Sequence, residues 1–244
     1  MLDRCGFRWQ ASSSLVGMSM MLKSLKAATG TRHAALERQL PLLDPNLSHA
    51  TYRQFVQRLF GFYDPLETRL SALPWWDCIG FDYALRHKTP RLRQDLLLLG
   101  DTEQTMAGLP RCERLPPLTN EAQLWGCLYV IEGATLGGQI IIKNLHTHLG
   151  LTATSGASFF DGYGSQTGAR WKAFCAAVPA EGDDVRGGRD DMLLSANLTF
   201  DSLSEWLFPQ ALTSVGANSL VRPHASSSTR LQDPPAHAER SAHA

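Results

Sequence analysis

The sequence predicts an all-α protein that forms a single domain between irregular termini. Apolar residues recur every three or four positions along most of the chain, as they do on one face of a helix. No stretch alternates between apolar and polar residues as a half-buried strand would. The 244 residues are 43% apolar, enough for one sizeable core. We expect a helical bundle over residues 21–209, a loose extension at 1–20 and a disordered tail, rich in Ser, Pro, Ala and His, at 210–244.

The first predicted helix carries a histidine on its apolar face. Six residues follow one another at gaps of three or four and therefore share one side of the helix, which Pro41 ends. They are Leu22, Leu25, Thr29, His33, Leu36 and Leu40. This spacing predicts that His33 points inward.

Five further helices follow from the same periodicity and from their end signals. A second helix begins at Ser48 and is bent by Pro65, and a short third one runs from Pro90 to Gly100. A helix of roughly thirty residues without proline is predicted between Asn120, a capping residue, and Gly150. After the loop FFDGYGSQTG, helices are expected in ARWKAFCAAV and from Leu193 to Leu207, before Pro209.

Charge and cysteine content narrow the class of protein. Basic and acidic residues both number 23, which gives no reason to expect a nucleic acid or a membrane surface as partner. The five cysteines include no CxxC pair, and an odd number argues against a disulfide framework. The first twenty residues contain no apolar run of signal-peptide length, and none elsewhere is long enough to span a bilayer. We expect a cytoplasmic protein.

The long helix contains an unusual set of glycines in the segment YVIEGATLGGQIII. Each glycine inside a helix costs about 0.5–1 kcal/mol relative to alanine. Gly133 and Gly137 lie at i and i+4, so they form a strip without side chains, and Gly138 follows directly. Such a strip accommodates either another helix or a flat ligand. The spacing alone does not decide between them.

His33 has two charged neighbours on its own helix. Glu37, at i+4, is placed to accept a hydrogen bond from one ring nitrogen, and Lys26 lies two turns earlier on a similar side. Arg170, beside Trp171, is a further candidate for binding an acidic group of a ligand. A buried structural histidine with ordinary surface charges around it would give the same pattern.

Three segments resemble the bacterial heme oxygenases, especially those associated with bacteriophytochromes: LKAATGTRHAALERQLPLL, LYVIEGATLGGQII and FFDGYGSQTGARWKAF. The resemblance covers about residues 22–208. It implies that His33 is the axial ligand of heme iron and that Gly133 and Gly137 lie across the other heme face. It also implies that Lys26 binds a propionate, that Glu37 bonds to the axial histidine, and that Tyr129, Gly138 and Arg170 contribute to the pocket.

One position departs from the family pattern. Many members have an aspartate directly after the first of these glycines, where this chain has Ala134. Glu132, Thr135 or Gln139 could supply the missing polar group, although helical geometry directs Glu132 away from the glycine strip. Proton delivery is therefore expected to differ from that in the usual family member.

The resemblance implies O2-dependent cleavage of heme to biliverdin, carbon monoxide and ferrous iron. The chain has no dinucleotide-binding GxGxxG after a strand, so electrons are expected from a ferredoxin, a flavodoxin or a reductase. A bacteriophytochrome is a possible acceptor of the biliverdin. Two alternatives stay open: a heme carrier or sensor, for which Ala134 argues, and a thiaminase-like hydrolase with Cys127 or Cys175 as nucleophile.

Overall fold

The computed structural model describes residues 19–209 except 183 and 184, and this part of the chain contains helices and no strand. The all-α prediction is thereby confirmed. The predicted extension, apart from its last two residues, and the predicted tail at 210–244 lie outside the described residues.

Nine α-helices follow one another in the described part of the chain. They are α1 (Met20–Gln39), α2 (His49–Ser71), α3 (Trp76–Ile79), α4 (Thr89–Leu98), α5 (Glu103–Ala107), α6 (Glu121–Leu149), α7 (Ser158–Asp161), α8 (Thr167–Ala177) and α9 (Gly188–Leu207). Short 3-10 turns lie at Pro41–Leu43, Ala84–Arg86 and Gly164–Gln166. The six longer helices are those that the sequence predicts, and α3, α5 and α7 are additional.

The predicted end signals of the long helices are present. The Ser48 hydroxyl accepts a hydrogen bond from the Thr51 N–H at the start of α2. The Asn120 side chain does the same for Gln123 at the start of α6, at 2.9 Å. Gly150 ends α6 with φ of 66°, a left-handed conformation that glycine adopts without strain.

Helix α2 continues through Pro65 because another part of the chain satisfies the hydrogen bond that proline cannot make. The carbonyl of Gly61, four residues earlier, accepts the N–H of Cys112 at 2.9 Å. A Cβ on Gly61 would lie 2.5 Å from the Pro110 carbonyl oxygen, so only glycine admits this segment. The loop after α5 is thereby fixed to α2.

Helix α9 is the element on which both α1 and α6 pack. A Cβ on Gly126 of α6 would collide with the Met192 carbonyl oxygen, so the two backbones approach closely there. On the other side, Arg32 of α1 forms an ion pair with Asp201 at 2.7 Å. Helix α9 therefore supports both α1 and α6.

Helix α6 is the one helix in the described residues that is long and apolar enough to cross a membrane. Its most apolar window has a mean hydropathy of 1.3, and half of that window is buried inside the protein. The central helix of a folded core has the same length and composition, so this property is weak evidence for a membrane span.

Candidate functional site

Helices α1 and α6 run in the same direction, and contacts at two levels fix their relative position. The hydroxyls of Thr29 and Tyr129 lie near each other at one level. At the other, the Asn144 side-chain amide donates to the Leu42 carbonyl, just beyond α1, at 2.7 Å. Because residue numbers rise together between the two levels, the intervening stretches, which carry His33 on α1 and Gly133 and Gly137 on α6, lie between these two contacts.

His33 lies one turn beyond Thr29 on the predicted apolar face of α1, but it is less enclosed than its neighbours there. Its side chain is 40% exposed, whereas Leu25 and Thr29 are buried. Its Nδ1 lies 3.4 Å from the Glu37 carboxylate. The ring meets Phe200 of α9 edge-on at 5.7 Å between centroids. The imidazole is thus oriented by Glu37 of its own helix and by Phe200 of α9, while part of its surface is exposed.

The two glycines at i and i+4 leave α6 bare along this stretch. A Cβ built on Gly137 would have nothing within 4 Å outside its own helix. One on Gly133 would lie 3.7 Å from the six-membered ring of Trp171, an ordinary contact. Tyr129 and Trp171 lie 6.0 Å apart between ring centroids and form an aromatic wall next to the strip. Burial raises the pKa of Tyr129, so this residue is a neutral part of the wall.

Gly138 differs from these two glycines. A Cβ on Gly138 would lie 2.5 Å from the Phe160 carbonyl oxygen, so its bare surface is taken up by the backbone of α7. Gly138 thus packs α6 against α7, and its expected contact with heme stays a prediction.

The sequence and the fold both match known proteins. The family model for heme oxygenase matches residues 19–207. The chain belongs to the heme oxygenase family. A heme oxygenase of Xanthomonas campestris is 38% identical over 99 residues, which are 39% of this chain and 53% of that protein. The matched stretch thus spans about half the length of that curated relative.

Two solved heme oxygenase structures share the fold. The enzyme from Leptospira interrogans has a TM-score of 0.62 at 17% identity, covering 77% of this chain and 98% of the other. Heme oxygenase-1 from the cyanobacterium Synechocystis, in complex with heme, has a TM-score of 0.57 at 17% identity, covering 82% and 99%. At this identity the likeness establishes the fold alone.

The position at which the family pattern leads us to expect an aspartate is occupied by Ala134, which is exposed. The three polar neighbours considered as substitutes bond elsewhere. The Thr135 hydroxyl donates to the Glu132 carbonyl at 2.7 Å, and the Gln139 amide donates to the Asp161 carbonyl at 2.8 Å. The Glu132 carboxylate is buried in an ion-pair cluster.

That cluster lies between α6 and the segment before α4. Glu132 pairs with Arg86 at 2.5 Å and with Lys88, and the Tyr163 hydroxyl donates to it at 2.9 Å. Burial lowers the pKa of Lys88, while the charge of Glu132 acts in the opposite direction. Sequence reasoning had no signal for this cluster, because Glu132 is separated from Arg86, Lys88 and Tyr163 by 31 to 46 residues.

The basic residues expected at the propionates lie on different helices, Lys26 on α1 and Arg170 on α8. Lys26 is exposed on α1, two turns before His33. The Arg170 guanidinium donates to the Leu85 carbonyl at 3.1 Å and lies 4.8 Å over the Tyr163 ring. The structure thus places the Arg170 side chain beside Leu85 and Tyr163, and its expected role at a propionate stays a prediction.

The two cysteines considered as nucleophiles of a thiaminase-like hydrolase, Cys127 and Cys175, are unsuited to nucleophilic attack. Cys127 is fully buried, and this burial raises the pKa of its thiol to about 12. Burial also raises the pKa of Cys175 to about 11. Since the thiolate is the reactive form, both side chains are inert near neutral pH. Among residues 19–209, apart from the two undescribed ones, no group of three or more His, Cys, Asp or Glu could bind a metal ion.

Proposed function

We propose that this protein is a heme oxygenase that binds heme between α1 and α6 and uses O2 to open it to biliverdin, carbon monoxide and ferrous iron. The observation that supports this most is that two contacts between the α1 and α6 regions bracket His33 on one helix and Gly133 and Gly137 on the other. Heme oxygenase-1 from Synechocystis, which has the same fold, is in complex with heme in its solved structure. That complex makes heme the first ligand to test.

The residues at the gap between α1 and α6 fit a flat, iron-containing ring. An imidazole that is 40% exposed is a suitable axial ligand, and the space next to Gly137 is space that a Cβ would fill. The indole and phenol rings of Trp171 and Tyr129 offer an apolar wall for the edge of the macrocycle. These are the properties that a site for a porphyrin requires.

When bound, heme supplies both the redox-active iron that activates O2 and the ring that is oxidised. His33 would bind the iron through Nε2, because its Nδ1 faces Glu37. A hydrogen bond from Nδ1–H to that carboxylate fixes the tautomer and the direction of the ring, and makes Nε2 a stronger ligand. The exposed ammonium of Lys26 is available to a propionate at the open edge.

On the other face, Gly133 and Gly137 let the backbone of α6 come closer to the substrate than any side chain would allow. Because Ala134 carries no acid and the three polar neighbours are engaged elsewhere, polar contacts to a substrate on this face would come from backbone groups of α6 and from solvent. Protons therefore reach this face from solvent.

The exposed surface of α1 suits an acidic electron donor. It carries four basic side chains, Lys23, Lys26, Arg32 and Arg38, of which Arg32 is paired with Asp201 of α9, and one acidic side chain, Glu37. Charge complementarity of this kind guides the encounter of two proteins. A ferredoxin or flavodoxin is the proposed donor, with a reductase as the alternative, and a bacteriophytochrome is the proposed acceptor of biliverdin.

A hemin titration tests the proposal. Purified wild-type protein is titrated with hemin and followed by its absorption spectrum, then supplied with ascorbate or a ferredoxin system in air. We expect a Soret band that decays as biliverdin appears. His33→Ala should lose the normal axial ligation and most of the turnover, whereas His148→Ala, an exposed histidine near the end of α6, should behave like the wild type.

Identical spectra and turnover in His33→Ala would reject His33 as the ligand. The same experiment separates catalysis from heme transport or sensing, the alternative that Ala134 favours. A carrier would show the Soret band and its dependence on His33, but the band would persist in the presence of the electron donor and no biliverdin would form.

A further inference from the structure

A closed set of contacts connects the buried ion pair of Glu132 and Arg86 with Trp171 of the aromatic wall. The Glu132 carboxylate binds Arg86, and both terminal nitrogens of Arg86 donate to the Arg170 carbonyl at 3.3 Å. Arg170 directly precedes Trp171, whose ring meets the position of a Cβ on Gly133 at 3.7 Å. Gly133 directly follows Glu132, which completes the set.

The connection between Arg86 and α8 is made at two points. Besides the contacts from Arg86 to the Arg170 carbonyl, the Arg170 side chain donates back to the Leu85 carbonyl at 3.1 Å. The first turn of α8 is therefore fixed to the 3-10 turn at Ala84–Arg86 both by its backbone and by its side chain. This arrangement limits rotation and sliding of the residue that follows, Trp171.

The ion pair lies in the protein interior, where its loss has a large effect. Glu132 is 1% exposed and Arg86 is 7% exposed. A buried pair contributes little net stability compared with apolar residues of the same size, but removing one partner leaves the other charge uncompensated. The ion pair is therefore better explained by its effect on the position of α8 than by a contribution to stability.

The indole of Trp171 is half-buried and lies beside the strip at Gly133. It stacks on Phe174 at 5.4 Å between centroids, with 26° between the ring planes, and it lies near Tyr129. One side of the ring is thus backed by the core, while its six-membered edge borders the gap. A flat ligand pushed into the gap along α6 would stop against this edge.

We propose that Trp171 is a specificity-determining residue of the heme pocket, and that Glu132 and Arg86 are positioning residues that fix its ring beside Gly133. The inference rests on the proposed function. Heme has one edge with two propionates and an opposite edge with only methyl and vinyl groups. An indole wall accepts the apolar edge and excludes the charged one, because a carboxylate next to an aromatic ring loses its hydration without gaining a partner.

Trp171 therefore sets the in-plane rotation of heme and, with it, the meso carbon that faces the reacting oxygen. Removing the indole should weaken hemin binding about tenfold and convert a single biliverdin isomer into a mixture. Breaking the ion pair should have the same effect on isomer distribution with a smaller effect on affinity, because the indole is still present but less restricted.

The experiment uses the full chain and five variants. Trp171→Ala and Trp171→Phe remove or reduce the wall, Arg86→Met breaks the ion pair, and Arg86→Lys partly restores it. Arg53→Met is the control, because it breaks an ion pair of α2 with Asp101, which lies between α4 and α5, and neither residue contacts Glu132 or Arg170. Hemin affinity and the biliverdin isomers, separated by chromatography, are measured for each.

A readout on the protein without heme shows whether the ion pair positions Trp171. The emission of Trp171, obtained as the wild type minus Trp171→Phe, is quenched with acrylamide. We expect greater accessibility in Arg86→Met, recovery in Arg86→Lys and no change in Arg53→Met. In Arg86→Met, the change in isomer distribution should follow the change in acrylamide quenching. If the ion pair had a purely structural role, its loss would lower stability without changing the quenching or the isomer distribution.

The outcomes distinguish the inference from the proposed function. If wild-type protein neither binds nor degrades hemin, both fail. If it degrades hemin and Trp171→Ala retains the wild-type affinity and isomer, the assignment of Trp171 is overturned and the proposed function stands. If Arg86→Met leaves acrylamide quenching and isomer distribution unchanged, the positioning role of the ion pair is overturned.

Discussion

A methyl group added at Gly137 should make the protein more stable and a poorer binder of heme. A Cβ at this position meets no atom within 4 Å outside its own helix, so alanine fits without strain. Alanine in a helix interior is favoured over glycine by about 0.5–1 kcal/mol. For a protein of this size, 1 kcal/mol corresponds to about 2–4 °C, so the melting temperature of Gly137→Ala should rise by about 1–4 °C.

The same methyl group occupies space that we assign to the macrocycle. Forcing a side chain into a tight contact costs about 1–3 kcal/mol, so the hemin affinity of Gly137→Ala should fall by about tenfold or more. Differential scanning calorimetry without heme and a hemin titration measure the two effects on one preparation. Stability and affinity are thus expected to change in opposite directions.

Gly138→Ala is the control for this substitution. Its Cβ would lie 2.5 Å from the Phe160 carbonyl oxygen, so α7 must shift, and stability should fall by about 1–3 kcal/mol. A lower melting temperature for Gly137→Ala, or an unchanged hemin affinity, would refute the assignment of the open space beside Gly137 to the substrate.

Three more predictions concern the surrounding fold. Glu67→Ala removes a buried carboxylate that accepts the Tyr83 hydroxyl and two backbone N–H groups at the start of α4, and should lower the free energy of unfolding in urea by about 1–3 kcal/mol. The Arg53 guanidinium lowers the pKa of Asp101, so the stability from this pair is present above about pH 4 and is lost as the pH falls through the folded-state pKa. The free energy of unfolding, measured by urea titrations from pH 2 to 5, should therefore depend less on pH in Asp101→Asn than in the wild type. An unchanged pH dependence would disprove the linkage. Cys127 should resist thiol labelling in the native protein and react after unfolding, because burial raises its pKa to about 12. Peptide mass spectrometry measures the labelling, and rapid labelling of the native protein would contradict this burial.

The long helices could be predicted from sequence because their signals are local. The apolar spacing of α1 and the caps of α6 at Asn120 and Gly150 lie within the helices or directly beside them. The short helices depend on distant residues. Helix α7, for example, begins with two N–H groups that donate to the Asp95 carboxylate at 2.8 Å, more than sixty positions away in sequence. No pattern within SFFD announces that contact.

The same distinction explains which candidate site residues could be predicted. The i and i+4 spacings of His33 with Glu37 and of Gly133 with Gly137 follow from helix geometry alone. Gly137 and Gly138 look equivalent in sequence, since only the distant Phe160 backbone separates their roles. Trp171 was visible only as a neighbour of Arg170, because its place beside Gly133 depends on how α8 packs.

The position of α9 in the chain has a consequence for the order in which the protein is made. Both walls of the gap rest on this helix, and it is the last of the described helices to leave the ribosome. Until it emerges, the opening helix lacks its main packing partner and Phe200 is missing from beneath the imidazole of His33. With heme bound at His33 as proposed, the nascent chain would lack this support for its ligand until synthesis of the domain is nearly complete.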